Sequence, residues 1–154
     1  MNAPHLFSRR ILLAVTGLSP QVVTETLFAL TQEQSPPFVP TEIHLITTAQ
    51  GAEHARLELL SAAPGWFHRF SRDYGLPGIA FDAEHIHTIR DASGLPLEDI
   101  RDPSDNAIAA NEITDLLREL TDDPDSALHV SIAGGRKTMG FYLGYALRGL
   151  TLLH

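Results

Sequence analysis

No cysteine occurs among the 154 residues, which excludes disulfides, thiolate nucleophiles and cysteine-based zinc sites together. A reducing, cytoplasmic setting is the simplest match. Lysine is nearly as scarce. Lys137 is the single one, and arginine supplies the rest of the 11 basic side chains. Against 19 acidic residues these leave a formal net charge of −8 and a pI near 5.3. A chain so short of positive charge has no basic face for unspecific binding to duplex DNA or an anionic membrane. A small anionic ligand held by a few local groups stays compatible. Long apolar runs are missing too: the stretch 139–153 is interrupted by Arg148 and falls short of the roughly 20 residues a membrane span needs. Ser8-Arg9-Arg10 before Ile11–Val15 has the outline of a twin-arginine export signal. Its apolar run is short, Gly17 and Pro20 interrupt it, and no small-x-small cleavage site follows. There is no internal repeat and no low-complexity tract.

What is present fits one packed domain. Hydrophobic residues make up 44% of the chain and charged ones 19%, enough for a core at this length. Arg10–Val15 is a continuous apolar run, the pattern of a strand covered on both faces in a parallel sheet. After the turn at Thr16-Gly17-Leu18-Ser19, apolar positions at Val22, Val23, Leu27 and Leu30 recur at helical spacing until Ser35-Pro36-Pro37. Glu42–Thr47 is a second strand, followed by a helical stretch that Pro64-Gly65 breaks and Trp66–Tyr74 continues. His85–Arg90 is a third strand, and 91–105 is an irregular region rich in Asp, Gly, Pro and Ser. The spacing predicts an amphipathic helix over 106–120, capped from Ser104 or Asp105. Leu128–Ile132 is a fourth strand, and Gly134-Gly135-Arg136-Lys137-Thr138 is expected to turn into a last, very apolar helix.

Strands alternating with helices imply an α/β fold: a Rossmann-like parallel sheet with helices on both faces, spanning 1–154 as a single domain. A 3-2-1-4 strand order makes strands one and four neighbours. The crevice between their carboxyl ends is then the switch point at which such sheets bind ligands. The two loops flanking it are 16–21 and 133–138. The last helix is apolar around most of its circumference, and the chain stops at His154 before the further strands a complete doubly wound sheet usually adds. A subunit interface, or a C-terminally truncated product, is therefore expected.

Gly134 and Gly135 allow close backbone approach, and Arg136, Lys137 and Thr138 add polar groups at an expected helix N-terminus, where an anion is favoured. Arg136 suits bidentate phosphate contact and Lys137 a point charge. The alternative is a tight turn with solvated charges. Neither a Walker P-loop nor a Gly-x-Gly-x-x-Gly fingerprint is met. Thr16, Gly17, Leu18, Ser19 and Gln21 form the second candidate loop, although Ser19 before Pro20 also reads as an ordinary helix cap. Asp105 and Asn106 either cap the fourth helix or point into the cleft. His85 and His87 share a strand face, yet no third ligand lies nearby and no His-Glu-x-x-His occurs. Scattered satisfied or surface histidines are the simpler reading of the eight, with no metal site.

Residues Ile11–Leu27 resemble the first motif of the CRISPR-associated Rossmann-fold (CARF) family, the ring nucleases and cyclic oligoadenylate sensors of type III CRISPR systems. Residues Leu128–Gly140, with Gly134-Gly135-Arg136-Lys137-Thr138 at their centre, resemble its second motif. Asp99-Ile100-Arg101 and Asp105-Asn106 fit the region between. The resemblance implies a homodimer binding cyclic tetra-adenylate across its two-fold axis. It also implies metal-independent and cofactor-free cleavage, with Ser19, Arg136 and Lys137 as catalytic residues. Two other readings stand beside it: a non-catalytic CARF sensor domain of an effector ribonuclease, and a Rossmann-like enzyme acting on another nucleotide.

Overall fold

The computed structural model describes residues 3–98, 103–132 and 138–143. The apolar run at the start of the chain forms β1 (Arg9–Val15), whose Ile11, Leu12, Leu13 and Ala14 are fully buried. Burial on both faces follows from its place in the middle of the sheet. β1 pairs in parallel with β2 (Glu42–Thr47) on one side and β4 (Ser126–Ile132) on the other. β3 (Ile86–Thr88) extends the sheet beyond β2, also in parallel. With β5 (Thr138–Leu143) beyond β4, the order is β3-β2-β1-β4-β5, so the four parallel strands stand in the expected 3-2-1-4 arrangement.

The connections cover both faces. α1 (Val22–Phe28) continues through a wider π-type turn, Ala29–Glu33. α2 (Ala49–Ala55) ends in a similar turn, Arg56–Leu60, and α3 (Trp66–Asp73) follows after a break. Gly65 makes that break with a φ of 58°, a conformation that costs a residue with a Cβ far more. Val23, Leu27, Ala55, Leu59 and Phe67 from these elements pack with Leu12, Ala14, Ile43 and Leu45. On the opposite face α4 (Pro103–Leu120) sets Ala109, Ile113, Leu116, Leu117 and Leu120 against Ile11, Leu13, Leu128 and Val130. The alternation of β1 between the two cores is the period-two geometry of a strand.

Two expectations are corrected. The helix expected after Lys137 is instead, over the described part, β5 (Thr138–Leu143), antiparallel to β4 with a bulge between Val130 and Ser131. Thr, Phe and Tyr favour strands, and β5 pairs the backbone groups that β4 would otherwise leave open at the sheet edge. The segment holding Gly134–Lys137 thus joins two strands, and the dipole of a following helix does not contribute there. The second correction concerns α4, which starts at Pro103 rather than 106. Proline suits the first helical position because it has no N–H to leave unbonded. Asp105 and Asn106 accordingly lie inside the first turn, not at the cap.

Candidate functional site

β1 and β4 pair up to their carboxyl ends, Val15 opposite Ile132. This is where the chain reverses its direction of travel across the sheet, because β2 and β3 lie to one side of β1 and β4 to the other. The loop after Val15 is stepped out of the core one residue at a time. Thr16 is buried, and its hydroxyl finds no hydrogen-bond partner among the described residues; its N–H donates to the Ile46 carbonyl. Gly17, Leu18 and Ser19 are exposed, Pro20 is buried, and Gln21 is exposed again.

The capping role of Ser19 does not materialise. α1 has Gln21 at its N-cap position, and among the described residues no side chain bonds its first N–H groups; Val23 N–H donates instead to the Pro20 carbonyl. The Ser19 hydroxyl is therefore not committed to the helix end. α1 is anchored to β4 from below by a buried hydroxyl pair, Thr26 Oγ1 to Ser131 Oγ at 3.0 Å. Ser131 stands one residue before Ile132, so this bond fixes the helix that follows Ser19 against the strand that leads to Gly134.

A third element closes on the same loop. Thr47, the last residue of β2, donates from Oγ1 to the Gly17 carbonyl at 3.2 Å. Gly51 in α2 lies directly over both groups: a Cβ there would stand 2.5 Å from the Gly17 carbonyl oxygen and closer still to the Thr47 hydroxyl. Only glycine allows α2 to approach so closely. Its sequence signal is a glycine placed inside a helix, where alanine would be favoured by about 1 kcal/mol.

Arg136, Lys137, Gly134 and Gly135 lie outside the described residues. Thr138 is the first residue of β5, paired with Ser131, and Asp105 and Asn106 belong to the first turn of α4. Thr16, Gly17, Leu18, Ser19 and Gln21 follow β1 in one loop, and the last residue of β1, Val15, pairs opposite Ile132 of β4.

A polar chain runs across the sheet, from the first residues of β1 and β2 to β3. Arg9 donates from Nε to Glu42 at 2.5 Å, the other Glu42 oxygen meets His44 Nε2 at 2.8 Å, and His44 Nδ1 meets His87 Nε2 at 2.9 Å. His85 stacks on His44 with ring centres 4.4 Å apart. Burial lowers the pKa of His44 despite the Glu42 carboxylate, and burial, then the neighbouring imidazoles, lowers that of His87. Both are then neutral near pH 7. One proton arrangement satisfies the chain: His44 donates Nε2–H to Glu42 and accepts at Nδ1 from His87 Nε2–H. Burial works to raise the Glu42 pKa, but the bonds from Arg9 and His44 outweigh it and hold it below the ordinary value. These histidines are satisfied by one another. Among the described residues no group of three or more His, Cys, Asp or Glu is placed to hold a metal ion. Nor, among them, is any helix long and apolar enough to cross a membrane.

No curated protein and no solved structure matches the chain. A family model does, that of the CRISPR-associated protein NE0113, over residues 19–151. The match starts at Ser19 and takes in the Gly134–Thr138 segment. Covering most of the 154 residues, it shows that this chain belongs to the CRISPR-associated NE0113 protein family.

Proposed function

We propose that the chain is a CARF-type ring nuclease. As a homodimer it binds a cyclic oligoadenylate, cyclic tetra-adenylate above all, at its two-fold axis. It cleaves the ring without metal or cofactor and so switches off type III CRISPR signalling. The observation that carries this reading is the pairing of β1 with β4 up to Val15 and Ile132, within a CRISPR-associated family. The exposed Gly17–Ser19 loop and the Gly134-Gly135-Arg136-Lys137 sequence follow these two neighbouring strand ends.

The chemistry asked of these residues is modest. A ribose 2′-hydroxyl attacks the adjacent phosphorus and loses its proton. The bond to the 5′-oxygen breaks, that oxygen takes up a proton, and a 2′,3′-cyclic phosphate remains. Catalysis then consists of holding the nucleophile in line and stabilising charge on the phosphate. In this proposal Ser19, freed from capping, hydrogen-bonds at the reacting centre. Thr16, Gly17, Leu18 and Gln21 shape the pocket beside it, and Gly134 and Gly135 admit the phosphate. Arg136 and Lys137 supply the positive charge. Because the chain continues from Lys137 into a strand rather than a helix, these two side chains carry that charge without help from a helix dipole. Asp105 and Asn106 are assigned to the ligand from the α4 side.

Native mass spectrometry with cyclic tetra-adenylate tests the binding half. The expected species is two chains with one ring. One ring per single chain, or no complex, contradicts the two-fold site. Bound ring that stays intact favours the sensor reading over the nuclease.

A further inference from the structure

A groove of about 500 Å3 opens between α1 and α3, beside the candidate site. Gln21 and Thr24 line it from the start of α1, Glu58 from the π-type turn after α2, and Trp66, Arg69 and Asp73 from α3. Gln21 belongs both to this groove and to the loop that follows β1, so the groove adjoins that loop. Trp66 is 49% exposed, and the Arg69 guanidinium lies over its ring at 5.0 Å. Phe70 and Tyr74 form the apolar wall, their rings 4.6 Å apart.

This lining discriminates between the two parts of a nucleotide. Indole and guanidinium are flat surfaces on which a base stacks irrespective of its sequence. Glu58 and Asp73 outnumber Arg69, so the groove repels a phosphate. The same carboxylates, with the Gln21 and Thr24 oxygens, are acceptors for an exocyclic amine. A large aromatic left half in water is also poorly explained by packing alone, since about half of its hydrophobic contribution is forgone. We infer that the α1–α3 groove is a nucleobase subsite that takes one adenine of the ligand, stacked on Trp66, while the phosphates stay at the strand ends beside Ser19. The inference rests on the cyclic oligoadenylate reading, and it makes Trp66 a specificity-determining residue outside the chemistry.

Trp66 is the single tryptophan of the chain, so its emission reports on this groove alone. The full chain is titrated with cyclic tetra-adenylate while binding is followed independently by calorimetry, and with adenosine 5′-monophosphate as a fragment. The expected result is quenching that saturates together with the heat. Trp66→Ala should weaken binding by about tenfold or more, the usual cost of losing one stacked base, and Trp66→Phe should restore most of it by keeping a flat ring. Trp66→Ala removes a half-exposed side chain, and an unchanged far-ultraviolet circular dichroism spectrum certifies its fold. Heat without quenching, unaffected by Trp66→Ala, overturns the subsite and leaves the ligand reading standing. Quenching by the monophosphate with no binding of the ring supports the subsite and overturns the ring as its source. Neither heat nor quenching with either probe overturns both.

Discussion

His129 shows how a single buried side chain sets a pH limit on the fold. It stands on β4, 4% exposed, and burial lowers its pKa from 6.5 to about 4. Above pH 6.5 both folded and unfolded chains hold it neutral, and it costs nothing. From pH 6.5 down to about 4 the unfolded chain takes up a proton that the folded chain refuses, so stability falls with acid; below 4 the loss levels off. By pH 5 this one residue should account for a loss of about 2 kcal/mol. His44 and His87, also lowered by burial, add losses of the same sign. Urea unfolding at pH 7 and pH 5 checks this: His129→Gln should lose visibly less between the two than the parent. Equal losses would show that His129 titrates as an exposed histidine. Residues of this kind are hard to recognise in sequence. The stacking of His85 and the bond of His87 both go to His44, on a different strand, and only pairing of β2 with β3 brings them together. Ser19 was misleading in the opposite sense, since Ser-Pro before a helix is the usual cap pattern, yet the helix starts at Val22 with Gln21 at the cap.

At the scale of elements, the legible parts were those with one dominant pattern. β1 is a short continuous apolar run from Ile11 to Val15, and β2 and β4 carry apolar residues on both faces, as a sheet covered on both sides requires. α4 repeats its apolar residues on one face, and Pro64-Gly65 marks the start of α3. The stretch 139–147 is apolar at nearly every position, and such a run carries no period to separate helix from strand, so its pattern suits the expected helix as well as the observed β5. Tertiary pairing with β4 decided it. Gly51 is the element-scale feature that sequence did not flag. Helix propensity alone predicts that Gly51→Ala stabilises α2 by about 1 kcal/mol. The overlap with the Gly17 backbone and Thr47 predicts the opposite sign, because α2 or the 16–21 loop must move. Gly51→Ala should lower the melting temperature and weaken cyclic oligoadenylate binding together. A raised melting temperature would show that α2 has room to spare at this point.

For the molecule as a whole, the order β3-β2-β1-β4-β5 matters more than any single contact. It sets the end of β1 beside the end of β4, with α1 held to β4 through Thr26 and Ser131 and α2 closed over Gly17. The loop after β1 is thereby fixed from three elements before any ligand arrives, which reduces the ordering cost of binding. The acidic composition, −8 overall, leaves positive charge for an anionic ligand to a few residues, among them the lone lysine. The most direct measurement follows from that. The purified chain is incubated with cyclic tetra-adenylate in excess EDTA, with Lys137→Ala alongside, and the products are weighed by mass spectrometry. The account predicts linear species ending in 2′,3′-cyclic phosphate from the parent and an intact ring from the variant. An intact ring from the parent, or equal cleavage by a properly folded Lys137→Ala, would contradict it.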